Sequence, residues 1–96
     1  MPTYIVLYKF TEQETKKIKS TVQQAHKAQT ENDKRGFKTH GIYWTQGRCD
    51  IVAVIEAPDE QAMMAGLCNI NSAGNVQSET LRAFTEAEME AITRKM

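Results

Sequence analysis

The chain has 96 residues, of which 41% are hydrophobic and 25% are charged, and its 12 basic and 12 acidic side chains give a formal net charge of zero. This composition is typical of one soluble globular domain, and it argues against a disordered chain, a fibrous repeat or a membrane protein. The neutral total conceals an asymmetry, because residues 1–48 carry nine basic and four acidic side chains (+5) and residues 49–96 carry three and eight (−5). Such a chain can still present a basic face.

The cysteines and the apolar runs indicate the compartment. Cys49 and Cys68 lie 19 residues apart and form no CxxC motif. The chain does not open with the charged and apolar stretches of a secretory signal, so we expect reduced thiols in a cytoplasmic protein. The longest apolar runs, at 4–8 and 51–55, have five residues each and are too short to span a bilayer, so we expect no membrane partner.

The first predicted element is a β-strand over residues 3–10, where β-branched and aromatic side chains dominate. A capping box formed by Thr11 and Glu14 is expected to start a helix that runs to residue 34 or 35 and ends at Gly36. The helix carries a narrow apolar stripe, composed of Ile18, Val22, Ala25 and Ala28 or Gln29.

Residues 37–45 and 48–56 are predicted to form a β-hairpin around a two-residue turn at Gln46-Gly47, where glycine supplies a positive φ. In this register Trp44 faces Cys49 and Tyr43 faces Asp50. One face of the hairpin then carries Tyr43, Asp50, Val52 and Val54, and the other carries His40, Ile42, Trp44, Cys49, Ile51 and Ala53.

The rest of the chain completes a recognisable order of elements. Pro58 and Asp59 open a second helix, residues 76–84 form a last strand, and Thr85 with Glu88 begins a terminal helix. One face of the second helix carries Met63, Leu67 and Ile70. The order is that of an α+β, ferredoxin-like βαββαβ sandwich, with a four-stranded antiparallel sheet of strand order 4-1-3-2 and a short C-terminal helix, in one domain over residues 1–96.

The two central strands of this sheet, at residues 4–8 and 51–55, are continuously apolar. A strand that is covered on one face alternates apolar with polar residues, whereas a continuous run indicates burial on both faces. Since the main helices cover only one face, we expect a second copy on the other, which gives a homodimer through the open sheet face. The alternative is that the terminal helix folds back over this face.

Asp50 and Tyr43 are the first candidate site residues, because a carboxylate opposite a phenol can act as a general base or position the hydroxyl. A structural hydrogen bond near the hairpin end is the simpler interpretation. His40 is a second candidate base, on the other face. His40 and Cys49 are too few ligands for a zinc site, so we expect no metal, and Cys68 is expected to be a small core residue.

Two further polar features could take part in binding. Arg82, on the last strand, can bind an anionic ligand or pair with an acidic residue across a dimer. Four lysines of the first helix, Lys16, Lys17, Lys19 and Lys27, suggest a basic face. The third strand has no aromatic residue for base stacking, so we expect no nucleic-acid partner.

Several ordered blocks resemble the GYD domain family. They are residues 1–7, Phe10-Thr11, residues 43–52, Glu56-Ala57-Pro58-Asp59, residues 74–76 and residues 79–85. The family signature Gly-x-Tyr-Asp is partly kept as Gly47-Arg48-Cys49-Asp50, with Cys49 in place of tyrosine. The resemblance implies a small ferredoxin-like protein of the dimeric α/β-barrel type, found mostly in bacteria and archaea, and it transfers no catalytic residue and no assigned activity.

The leading functional hypothesis is a homo-oligomeric protein that binds a small, partly apolar molecule between sheet and helices without a cofactor. Its candidate polar and aromatic contacts are Tyr43, Trp44, Asp50 and Arg82. The first alternative, which rests on fold analogy, is a cofactor-independent monooxygenase or isomerase with His40 or Asp50 as base. The second is a structural or regulatory association module, which a solid interior would favour.

Overall fold

A computed structural model describes all 96 residues. Its strands and helices, in chain order, are β1 (Thr3–Phe10), α1 (Glu12–Thr15), a 3-10 helix (Ile18–Ser20), α2 (Thr21–Lys34), β2 (Lys38–Trp44), β3 (Ile51–Glu56), α3 (Glu60–Ser72), β4 (Val76–Ala83) and α4 (Glu86–Thr93). The strands form one antiparallel sheet in the order β2-β3-β1-β4. This is the order 4-1-3-2 seen from the other edge, so the predicted α+β, ferredoxin-like topology is confirmed. No helix has the length and apolar character needed to cross a membrane.

The first helix is interrupted, which corrects the expectation of one continuous helix. The backbone tightens where the Lys17 N–H donates to the Glu14 carbonyl oxygen, and the Ser20 hydroxyl donates to the Lys17 carbonyl oxygen at 2.9 Å. Such local hydrogen bonds compete with the regular helical pattern. The prediction that Ile18 and Val22 belong to a buried apolar stripe is also wrong, since their exposed fractions are 46% and 52%.

The later helices begin at the predicted caps. The Asp59 carboxylate accepts a hydrogen bond from the Ala62 N–H at 2.7 Å at the start of α3. At the start of α4, Thr85 and Glu88 form a reciprocal capping box. The backbone N–H of Thr85 hydrogen-bonds the Glu88 carboxylate and lowers the pKa of that group.

The β2–β3 hairpin has a register two residues away from the predicted one. Tyr43 pairs with Val52 and Trp44 pairs with Ile51, and the Thr45 N–H donates to the Asp50 carbonyl oxygen at 2.9 Å. The turn is therefore a four-residue loop, and the predicted pairs of Tyr43 with Asp50 and of Trp44 with Cys49 are wrong. A shift of two residues preserves the predicted sheet faces of the paired residues, because side chains alternate with period two.

The core lies between the sheet and the helices. Only nine of the 96 residues are buried, and the hydrophobic ones form one cluster composed of Tyr4, Val6, Phe37, Ala53, Ile55, Ala57 and Met63. The strand residues of this cluster face α2 and α3, which lie over the same side of the sheet. Cys68 is exposed on α3 rather than part of this core, which corrects its expected place.

The other side of the sheet, termed the open face, has no helix over it. Its central apolar residues are Ile5, Leu7, Val52, Val54 and Leu81. α4 buries none of its residues and makes no substantial contact with any strand or helix. The terminal helix therefore does not cover the open face.

Candidate functional site

A cleft of about 540 Å³ separates the helix-covered side of the sheet from α2 and α3. Hydrophobic side chains make up 14 of its 26 lining residues. Its apolar sheet side is composed of Tyr8, Phe10, Ile42, Ile51, Ala53 and Ile55. A cleft of this size and polarity is typical of a small-molecule site.

Small residues of α2 and α3 line the helix side of the cleft. α2 presents Ala25 and Ala28 to the cleft and buries none of its residues. On the opposite wall, α3 presents Gly66, where a Cβ atom would lie 3.6 Å from Cζ of the buried Phe37. Alanine and glycine side chains occupy little volume, so they leave room in the cleft.

Tyr8 places a phenol in the cleft wall. It lies in the continuous apolar run of β1 and pairs with Ile51 on one side and Ser78 on the other. Burial raises the pKa of Tyr8 to about 12, since the phenolate would lose hydration. The hydroxyl is therefore neutral at ordinary pH and can donate and accept a hydrogen bond. The sequence signal for this residue is a tyrosine on the helix-facing side of a central strand.

Glu14 is the second polar group in the cleft that sequence reasoning did not assign to a site. Thr11 accepts a hydrogen bond from the Glu14 N–H at 3.4 Å, as a capping box requires. The reciprocal bond is missing, because the Thr11 N–H donates to the Asn75 carbonyl oxygen at 3.0 Å. The Glu14 carboxylate is thus free of the predicted capping role and lines the cleft. It is only 3% exposed.

The four predicted ligand contacts lie outside the lining of this cleft. Trp44 is on the helix-covered side, where its indole N–H donates to the Thr21 hydroxyl at 3.0 Å. Tyr43 is exposed on the open face. The structure therefore separates the two neighbouring aromatic residues by the thickness of the sheet.

Asp50 and Arg82 both bind the backbone. The Asp50 carboxylate accepts a hydrogen bond from the Phe10 N–H at 2.7 Å, and it lies 3.8 Å from the Lys9 ammonium group. The Arg82 guanidinium donates to the carbonyl oxygens of Thr3 and Ala83. It also lies 4.4 Å from the centroid of the Phe84 ring, within the range of a cation–π contact.

His40 sits at an irregularity of β2 that the alternating pattern did not predict. The pairing steps from Thr39 with Ile55 directly to Gly41 with Val54, so His40 is an extra residue of a β-bulge. Its Nε2 atom lies 3.0 Å from Oε1 of Glu56. Neither His40 nor Asp50, the two predicted candidate bases, lines the cleft.

The model of the GYD domain family matches residues 4–93. The chain belongs to the GYD domain family. Neither a curated protein nor a solved structure matches it. The family match agrees with the predicted resemblance, and it covers both the sheet and the helices that enclose the cleft.

The segment of this GYD domain that resembles the family signature forms the loop between β2 and β3. Gly47 adopts a φ of 105°, which favours glycine. The Thr45 hydroxyl donates to the Cys49 carbonyl oxygen at 2.7 Å, and Asp50 ties the loop to β1. These contacts give the segment a structural role in holding the hairpin end against the central strand.

No group of three or more His, Cys, Asp or Glu side chains in this GYD domain is arranged to hold a metal ion. Cys49 and Cys68 are both free thiols.

Proposed function

We propose that this GYD domain is a cytoplasmic homodimer that binds a small, partly apolar molecule in the cleft between the sheet and the helices. The cleft is the observation that carries the proposal, because it offers an apolar wall with a few polar groups, among them Tyr8 and Glu14. Sites of this kind fix the orientation of a ligand through polar contacts and gain affinity from apolar burial. The cytoplasmic location is supported by the two unpaired cysteines.

The proposed dimer joins two open faces. Leu81 is 44% exposed on the open face, beside Ile5, and the other central apolar side chains there are only partly buried within one chain. A two-fold interface must be complementary to itself. The open face meets this condition, because an apolar centre is bordered by both charge signs, with Lys9 and Lys38 against Glu56 and Glu79.

The small number of buried residues also supports a second copy of the chain as the partner. A single chain of 96 residues buries only nine of them, which leaves little apolar area to stabilise a monomer. Covering the continuous apolar runs of β1 and β3 with a second copy removes further apolar surface from water, at about 25 cal/mol per Å². Association therefore supplies stability that the isolated chain lacks.

Sedimentation of the purified protein tests the dimer. The expected mass is twice the 10.9 kDa of one chain at micromolar concentration. Leu81→Asp places a charge in the proposed interface and should yield monomers. The matched control is Met64→Asp, because Met64 is 62% exposed on α3, behind the other side of the sheet. A monomeric wild-type protein, or a Leu81→Asp variant that still dimerises, would overturn the dimer.

A thermal-shift screen against a metabolite library, repeated with a variant that fills the cleft, tests ligand binding. Ala25→Phe puts a ring into the cleft from α2, and Val22→Phe puts the same ring on an exposed position of the same helix. Compounds that raise the melting temperature of the wild type should also stabilise Val22→Phe and should fail to stabilise Ala25→Phe. Absence of any stabilising compound, or equal stabilisation of both variants, would contradict the proposal.

A further inference from the structure

We propose that the cleft selects small molecules that carry an amine beside an apolar body, and that Glu14 makes this selection. The inference rests on the proposed binding function and assigns the chemical class of its ligand. An ammonium group provides the hydrogen-bond donors and the positive charge that a buried carboxylate requires.

The carboxylate of Glu14 is buried without a hydrogen-bond partner. Its side chain is 4% exposed, and Oε2 has neither solvent contact nor a donor within hydrogen-bond distance. An unsatisfied buried polar group costs free energy, and the cost is larger for a charged one. Glu14 lines the cleft, so a ligand there that donates a hydrogen bond to its carboxylate offsets this cost on binding, whereas a purely apolar ligand leaves it in place.

The neighbouring residues do not satisfy Glu14. The nearest cation, the Lys17 ammonium group, is 4.0 Å from Oε2 and donates its hydrogen bond to Oδ1 of Asn75 at 3.3 Å. The Thr11 hydroxyl donates to the Gly74 carbonyl oxygen at 2.8 Å. These bonds hold the loop after α3 against α1, and neither donor lies within hydrogen-bond distance of Oε2.

The position of Glu14 suits a ligand with one polar end. Phe10 precedes α1 and pairs with Val76, and both line the cleft together with Asn75 and Glu14. The other charged lining residues, Lys27 and Glu31 on α2 and Arg35 just after it, are exposed, so water screens their charge. Glu14 is therefore the buried carboxyl group of the cleft, next to apolar side chains that can receive the body of the ligand.

Four probes that share a benzene ring distinguish the contributions of positive charge, hydrogen-bond donation and apolar burial to binding. Benzylamine carries an ammonium donor, benzyl alcohol a neutral donor, toluene no polar group, and benzoate only acceptors. Binding is measured by titrating each probe into the full-length wild-type protein and following the amide NMR signals of cleft residues. Benzylamine should bind at least about tenfold more tightly than toluene, with benzyl alcohol between them and benzoate weakest.

Two variants assign the preference to Glu14. Glu14→Gln keeps the shape of the side chain and removes its charge, so the preference for benzylamine over toluene should fall about tenfold or more. Glu12→Gln removes a charge from the same helix at a side chain that is 89% exposed, and the preference should persist. The NMR spectra of both variants test directly whether they remain folded, and the toluene titration tests whether the cleft remains accessible.

The outcomes distinguish this inference from the binding function beneath it. If none of the probes shifts the signals of cleft residues, the proposed binding function fails, and the selection by Glu14 fails with it. If toluene binds as tightly as benzylamine, or if Glu14→Gln retains the preference, the cleft still binds apolar molecules and the role of Glu14 is overturned.

Discussion

Replacing Tyr8 by phenylalanine tests whether the cleft wall buries a neutral phenol. Below pH 10, the hydroxyl is protonated in both the folded and the unfolded chain. Above the ordinary tyrosine pKa of 10.0 the unfolded chain loses this proton, while the folded chain retains it until its raised pKa of about 12. The stability that this difference provides is therefore fully present below pH 10 and is lost as the pH rises through the folded pKa.

The expected change in the free energy of unfolding follows from the raised pKa of Tyr8. A rise in pKa from 10.0 to about 12 corresponds to about 3 kcal/mol in full, and about 1 kcal/mol of it is lost by pH 11, which is one pH unit above the ordinary tyrosine pKa. Between about pH 9 and about pH 11, wild-type stability should thus fall by about 1 kcal/mol relative to Tyr8→Phe.

Urea unfolding of both proteins at several pH values provides the measurement, and the comparison cancels the titration of groups that the two proteins share. A difference in stability that stays constant over this pH range would show that Tyr8 is not held in the desolvated environment of the cleft wall.

Two further predictions concern local hydrogen bonds. Asp50→Ala leaves the Phe10 N–H without its acceptor and should lower the free energy of unfolding by about 1–3 kcal/mol, whereas Asp50→Asn retains an acceptor oxygen and should cost less. Equal stabilities of the two variants in urea unfolding would show that this hydrogen bond does not hold β1 to the loop. Thr85→Ala breaks the capping box with Glu88, so α4 should lose helical content in its NMR chemical shifts. Because α4 does not pack on the sheet, the global free energy of unfolding should change by less than about 1 kcal/mol, and a larger loss would reveal contacts of α4 that stabilise the fold.

The sheet topology was predictable because its signals are local and repeated. The β-branched runs of β1 and β3 and the glycine turns between elements each indicate a structure within a few residues. The capping signal before α4 was correct for the same reason, since Thr85 and Glu88 lie three residues apart and no other element competes for their hydrogen bonds.

The candidate site was less predictable. Asp50 and Arg82 have the chemistry of site residues, and the structure engages both with backbone groups. The sequence pattern around Tyr8 is that of a core residue, because its neighbours in β1 are apolar, and its place in the cleft wall depends on the distance of α2 and α3 from the sheet. That distance is a property of packing between layers and has no local sequence signal.

The sequence by itself determined the order of strands and helices, the strand order of the sheet and the sides of the sheet on which most of its residues lie. These follow from hydrophobic periodicity and from short-range hydrogen bonds. Tertiary structure decided that Glu14 does not complete a capping box. Its predicted partner, the Thr11 N–H, donates instead to the carbonyl oxygen of Asn75, which is 64 residues away. The Thr11 N–H can donate to the nearby Glu14 carboxylate or to the distant Asn75 carbonyl oxygen. Only the folded chain brings the Asn75 carbonyl oxygen within reach.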